Sequence, residues 1–134
     1  MWPHLEAVRA AVAIPVAGLP VPYRTTPNEP TFFRMHDHCC GVPLPDDGRT
    51  FPTDLEPFYA NRNEVADYGR RAAELGVDFI GLCCGNAPHF MRAMAEAVGR
   101  TPPASRHSPD MSKHFLFGDD SRLKKHNLDF SDRA

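Results

Sequence analysis

Two short apolar runs, residues 14–19 and 77–82, are separated by a proline-rich stretch and an amphipathic segment. Runs of this length without polar alternation are typical of strands buried on both faces of a parallel sheet. Strands that alternate with helices pair in parallel through right-handed crossovers. Because two parallel strands do not form a stable sheet alone, the pattern predicts an α/β protein and a piece of a larger structure.

Residues 62–75 carry the clearest helical pattern. Asn61 is a good N-cap residue, and Glu64 three positions later completes a capping box. Gly76 lies where a left-handed C-cap is favoured. The apolar stripe that we expect to face the core consists of Val65, Tyr68, Ala72 and Leu75.

Two further segments predict helices. Residues 3–12 begin with Pro3, which suits a first turn. Pro88 begins the other helix, and Gly99 ends it. The residues that we expect this last helix to bury are Phe90, Met91, Met94, Ala95 and Val98.

Proline content predicts where regular structure stops. The chain has 14 prolines in 134 residues, most of them between residues 15 and 57 or between 102 and 109. These stretches are expected to be irregular, because proline removes a backbone donor and fixes φ. We therefore predict one partial domain over residues 1–100 and an irregular tail over 101–134.

Charge and hydropathy exclude several classes of partner. Lys and Arg number 15 against 17 Asp and Glu, which gives a net charge of −2 and no electrostatic attraction to nucleic acid or anionic membranes. No apolar run approaches the roughly 20 residues of a membrane span, and no signal peptide is recognisable. The default expectation is a cytoplasmic protein.

The four cysteines form two adjacent pairs, Cys39–Cys40 and Cys83–Cys84. Clustered cysteines in a reducing compartment more often indicate metal or redox chemistry than structural disulfides. Cys83 and Cys84 follow a predicted strand and precede a helix N-terminus, where the dipole favours thiolate. Gly85 gives the turn freedom to direct both sulfurs at one ion. Buried structural thiols or a redox-labile pair remain equally open at this point.

Other chemistry-bearing residues give weaker signals. The cluster His36-Asp37-His38-Cys39-Cys40 could supply a further ligand, although a solvated loop is the simpler interpretation. A substrate carboxylate could meet Tyr23-Arg24, but an exposed pair is simpler. Glu56, His89 and His114 fit structural or solvated positions. Motifs of acyl hydrolases, dinucleotide-binding proteins and P-loop NTPases do not occur.

The segment 75–98, which contains Gly81-Leu-Cys-Cys-Gly85 and Pro88, resembles the last strand and helix of the homocysteine S-methyltransferase family. That family has a Gly-Gly-Cys-Cys-Gly turn, in which Leu82 replaces the second glycine here. The flanking stretches resemble the betaine–homocysteine methyltransferase-like branch. They are Leu19–Thr25, Phe51-Pro52, Leu55–Pro57, Pro102–Ser105 and Asp110-Met111.

The resemblance implies a fold and an activity. The family fold is a (β/α)₈ TIM barrel, of which this chain would supply the last two βα units, a C-terminal fragment. The family transfers a methyl group from betaine or another onium donor to homocysteine, giving methionine. Its Zn²⁺ is bound by the cysteine pair and by a third Cys on an earlier strand, so Cys83 and Cys84 would be metal ligands.

The same resemblance implies what the chain would need. The strand with the third Cys is absent from this sequence, so an N-terminal partner chain or a homo-oligomer is expected. The third ligand could otherwise come from His36, His38, Cys39 or Cys40. The alternative functions are a small stand-alone zinc- or thiol-binding module and a non-catalytic remnant.

Overall fold

The computed structural model describes residues 2–36, 49–52, 54–114 and 129, in two compact units, Met1–Pro102 and Pro103–Ala134. The described residues of the first unit form three α-helices, α1 (Trp2–Ala11), α2 (Arg62–Glu74) and α3 (Pro88–Ala97). Its two strands are β1 (Ala17–Gly18), between α1 and α2, and β2 (Phe79–Ile80), between α2 and α3. The predicted alternation of helices and strands is confirmed.

The two strands pair in parallel, as the sequence predicted, with Ala17 opposite Phe79 and Gly18 opposite Ile80. Backbone hydrogen bonds continue beyond them: Gly81 N donates to Gly18 O over 3.0 Å, and Cys83 N donates to Pro20 O over 2.8 Å. Pro20 has no N–H and therefore donates no backbone hydrogen bond in the ladder. The strands are therefore much shorter than the predicted runs 14–19 and 77–82, although the ladder reaches the cysteines.

The predicted capping box of α2 is confirmed. Asn61 Oδ1 accepts hydrogen bonds from the backbone N–H groups of Asn63 and Glu64, at 2.9 and 3.0 Å. In return, Asn61 N donates to Glu64 Oε2 over 2.7 Å. Gly76 has a φ of +80°, so the helix ends on the left-handed residue that the sequence predicted.

The core lies where α2 and α3 pack together and against one face of the sheet. Val65, Tyr68 and Ala72 of α2 meet Phe90 and Met94 of α3 in one buried cluster, which Val77 completes. The helices approach closely at Gly69, where a Cβ would lie 2.5 Å from Met94 Cγ. α1 is more peripheral, because its Trp2 and Leu5 are only partly buried against this cluster.

The opposite face of the sheet is apolar and open. Phe79 is 63% exposed and Leu19 is 48% exposed. Gly81 belongs to the same face, because a Cβ there would lie 2.6 Å from Leu19 Cδ2. Among the residues that the structure describes, no helix packs on this face, so the sheet is covered on one side.

The described residues of the proline-rich stretch, 20–36, 49–52 and 54–57, contain no α-helix or strand, as expected, and the two ends of the stretch are paired with each other. Arg24 N donates to Phe58 O over 2.7 Å, and Ala60 N donates to Pro22 O over 2.8 Å. Short 3₁₀ turns occur at Phe32–Arg34 and Glu56–Phe58. These bonds hold the segments that follow β1 and precede α2 side by side.

The described part of the second unit contains two 3₁₀ turns, Pro103–His107 and Met111–Lys113. Asp110 Oδ1 accepts hydrogen bonds from Ser112 N and Ser112 Oγ, and Lys113 lies 3.3 Å from the same carboxylate. No helix in the described part of the chain is long and apolar enough to cross a membrane.

Candidate metal centre

The structure places Cys83 and Cys84 after β2 and before α3, at the carboxyl ends of both strands. The Cys83 N–H is tied to Pro20 O, so this residue still follows the ladder. Cys84 and Gly85 form a turn, in which Gly85 has a φ of +87°. Such edges of parallel sheets are where α/β proteins bind ligands.

The two sulfurs have the spacing of metal ligands. Cys83 Sγ and Cys84 Sγ are 3.6 Å apart, and both side chains are exposed. Two zinc–sulfur bonds of about 2.3 Å at a tetrahedral angle hold their sulfurs about 3.8 Å apart. A disulfide requires about 2.05 Å. The donor pair therefore fits two positions of a tetrahedral zinc ion with little movement.

The protonation of Cys84 corrects one expectation. The neighbouring Cys83 thiol, first through its hydrogen bond and then through its charge, raises the pKa of Cys84. We expected the N-terminus of α3 to favour thiolate, but α3 begins only at Pro88. The dipole effect fades within about one turn, so the adjacent thiol dominates.

The described residues bring two candidate ligands together, Cys83 and Cys84. Within residues 2–36, 49–52 and 54–114, no group of three or more His, Cys, Asp or Glu side chains converges. His36 interacts through Nδ1 with Glu29 Oε1, 2.6 Å away. Asp37, His38, Cys39 and Cys40 lie outside the described residues.

Two tyrosines pack against the cysteine turn. The Tyr23 hydroxyl donates to the Tyr59 hydroxyl over 3.4 Å, and the ring centroids are 4.9 Å apart. A Cβ on Gly85 would lie 2.6 Å from Tyr23 Oη and 3.2 Å from Tyr59 Cε1. Burial, and then the bond to Tyr59, raises the pKa of Tyr23 to about 12, so its phenol stays neutral.

Tyr59 is a residue that sequence reasoning missed. It lies 36 positions from Tyr23, and only the antiparallel bridge between the two brings them together. The available signal was that an aromatic residue precedes the N-cap of α2, where the chain enters the helix. That signal carries no information about which distant residue it meets.

The other candidates have structural roles. The Arg24 guanidinium binds the Glu64 carboxylate, with Nη2 and Oε2 2.6 Å apart, so it is committed to the start of α2. His89 stacks on Phe90, 4.3 Å between ring centroids, and borders a cavity of about 700 Å³ beside Gly85 and Tyr59. Glu56 begins a 3₁₀ turn, and His114 ends one in the second unit.

Similarity to known proteins points to one group of enzymes. The chain is 38% identical over 91 residues to the S-methylmethionine–homocysteine S-methyltransferase of Rattus norvegicus, covering 60% of this chain and 23% of that protein. It is 36% identical over 120 residues to betaine–homocysteine S-methyltransferase 1 of Danio rerio, covering 85% of this chain and 26% of that protein. The corresponding Rattus norvegicus protein is 42% identical over 78 residues, covering 52% and 18%.

The matches cover only a small part of each relative. The chain spans about a quarter of the length of the curated relatives that it matches first. No protein-family model matches it.

Proposed function

We propose that this chain takes part in homocysteine methylation, because the curated relatives that it matches at 36–42% identity are betaine– and S-methylmethionine–homocysteine S-methyltransferases, in agreement with the family that its cysteine motif indicated and the branch that its flanking stretches indicated. In that reaction the homocysteine sulfur forms a bond to a methyl carbon, and the bond from that carbon to the donor breaks. The donor leaves as a neutral amine or thioether, and the product is methionine. Betaine is the donor that we favour, with S-methylmethionine as the other choice.

We propose that the two βα units are the last two of a (β/α)₈ barrel. Their parallel pairing and the cysteines at the carboxyl ends of the strands support this assignment. So does the open apolar face of the sheet, where Leu19 and Phe79 would point into a barrel interior. Further strands would have to come from another chain or from a longer polypeptide.

The observation that carries the proposal is the 3.6 Å separation of Cys83 Sγ and Cys84 Sγ. This distance fits two ligands of one zinc ion, whereas a catalytic zinc site has three protein ligands and one open position. The third ligand would come from His36, His38, Cys39 or Cys40, or from a cysteine on a partner chain.

The chemistry of the site follows from these ligands. Bound zinc would supply the positive charge that keeps a homocysteine thiol deprotonated at neutral pH while leaving it nucleophilic. Cys83 and Cys84 would bind this ion as thiolates. Because both thiols would have to lose their protons to bind the ion, metal binding would release protons and weaken as the pH falls.

Zinc content tests the proposal. We expect about one zinc per purified chain, measured by inductively coupled plasma mass spectrometry, and loss of that zinc in a Cys83→Ser/Cys84→Ser variant. The Cys39→Ser/Cys40→Ser variant removes the other adjacent pair and shows whether that pair supplies the third ligand. Zinc retained by the Cys83→Ser/Cys84→Ser variant would refute the assignment of the ligands.

The alternative function is a stand-alone zinc- or thiol-binding module. In that case Cys83 and Cys84 would share one metal with residues of the His36–Cys40 cluster. Loss of zinc from the Cys39→Ser/Cys40→Ser variant would show that this cluster supplies a ligand under either function. Homocysteine binding by the zinc-loaded chain, measured by calorimetry, would favour methyl transfer, and its absence would favour the stand-alone module.

A further inference from the structure

Tyr23 and Tyr59 pack tightly on Gly85, the residue that follows the thiol pair. A Cβ on Gly85 would lie 2.6 Å from Tyr23 Oη and 2.9 Å from Tyr23 Cζ. Contacts under 3.0 Å leave no room for a side chain. The backbone of Gly85 is therefore pressed directly against the Tyr23 phenol, with the edge of Tyr59 beside it.

The tyrosines are held from outside the turn. Two backbone bonds, Arg24 N to Phe58 O and Ala60 N to Pro22 O, lie on either side of the Tyr23–Tyr59 bridge. The rings are further supported by Phe32 at 5.3 Å from Tyr23 and by Phe90 at 6.2 Å from Tyr59. This pair is consequently a fixed surface on which the cysteine turn rests.

The turn needs such a surface. Adjacent residues of a regular strand point to opposite faces, so neighbouring thiols separate unless the backbone leaves the strand. Here the chain leaves it between Cys83, which is still on the ladder, and Gly85, whose φ is +87°. A glycine has many other conformations open to it, and contacts must select this one.

We propose that Tyr23 and Tyr59 are positioning residues for the metal centre: their packing on Gly85 fixes the turn in the conformation that brings both sulfurs together. The role belongs mainly to the rings, and the bond between the hydroxyls fixes their relative orientation. The inference rests on the proposed zinc site for its purpose, but not for its test, because the spacing of two thiols can be measured without zinc.

The probe is phenylarsine oxide, which bridges two neighbouring thiols. Its arsenic forms two As–S bonds, and the two thiol protons leave with the oxygen as one water, without any oxidation or reduction. We use the full chain with Cys39→Ser/Cys40→Ser, which leaves Cys83 and Cys84 as the cysteines of the protein. Affinity is measured by competition with a soluble dithiol.

Three variants separate ring from hydroxyl. Tyr23→Phe/Tyr59→Phe keeps the rings, and we expect affinity within about threefold of the parent, whereas Tyr23→Leu/Tyr59→Leu should lose about tenfold, or 1.4 kcal/mol. Each thiol should still react with iodoacetamide at the parent rate, because both are exposed. Phe33→Leu is the control, since Phe33 belongs to the same aromatic cluster and stacks on Phe32.

The outcomes are distinct. Parent affinity in the leucine variant, or an equal loss in Phe33→Leu, would overturn the positioning role. If the leucine variant does not fold by circular dichroism, Gly85→Ala replaces it, and its Cβ must displace Tyr23 and lower the affinity similarly. If the parent chain obeys these expectations but the wild-type chain, with all four cysteines, binds no zinc, the proposed function is refuted and the tyrosine role stands.

Discussion

At the scale of single residues, Tyr68 shows how packing can leave a polar group uncompensated. The side chain is 7% exposed, and its hydroxyl has no hydrogen-bond partner among the described residues. A Cβ on Gly18 would lie 2.5 Å from this oxygen, so the hydroxyl ends against the backbone of β1. Burying an unpaired hydroxyl costs free energy that a hydrogen bond would otherwise offset.

We therefore expect Tyr68→Phe to raise the free energy of unfolding by about 1 kcal/mol, because the ring stays packed and the unpaired oxygen is removed. Urea denaturation followed by circular dichroism measures the change. A loss of stability would show that the hydroxyl has a favourable partner after all.

The pH dependence of the free energy of unfolding above pH 10 gives a second test of Tyr68. Burial raises the pKa of Tyr68 above the value of about 10 found in unfolded chains. Folding therefore favours the neutral phenol. The part of the folding stability that depends on the neutral phenol is complete below pH 10 and is lost as the pH rises through the folded pKa. Tyr68→Phe should make stability depend less steeply on pH above 10.

At the scale of elements, α2 joins local and distant contacts through one residue. Glu64 closes the capping box on Asn61 N and also binds Arg24, 40 positions away. These contacts lower the pKa of Glu64, with the bond from Arg24 as the larger cause. The start of α2 is thereby tied to the segment that carries Tyr23.

Asn61→Ala should lower the free energy of unfolding by about 1 kcal/mol, because two backbone N–H groups at the start of α2 lose their acceptor. Thermal unfolding of the purified chain measures the loss. The matched control is Asn63→Ala in the same first turn, whose side chain is exposed and outside the capping box. Equal effects of the two substitutions would contradict the role of the cap.

At the scale of the whole molecule, the open face of the sheet governs behaviour in solution. Leu19 and Phe79 expose apolar surface on this face, and Ile14 nearby in sequence is 67% exposed. Parallel sheets normally bury both faces, and exposed apolar patches promote association. The expected oligomer or partner chain would follow from this property.

We expect the purified chain to self-associate, and Leu19→Ser/Phe79→Ser to shift it toward the monomer, since the substitutions remove apolar surface without touching the core between α2 and α3. Multi-angle light scattering over a range of concentrations measures the mass. Ile14→Ser in the same background tests whether the effect extends along the face. A wild-type chain that is monomeric at all concentrations would contradict the expectation.

The sequence by itself determined the features that depend on neighbours along the chain. It located α2 through Asn61, Glu64 and Gly76, because capping joins residues three or four positions apart. It also located the cysteine turn and the group of relatives, because that motif is contiguous.

Only the tertiary structure decided which distant residues meet. The approach of Tyr23 and Tyr59 to Gly85, the commitment of Arg24 to Glu64 and the shortening of both strands arise between segments tens of residues apart. Periodicity and propensity report what a segment prefers alone, whereas these contacts depend on how β1, α2 and β2 pack. The distance between the two sulfurs belongs to this second class, because the packed turn sets it.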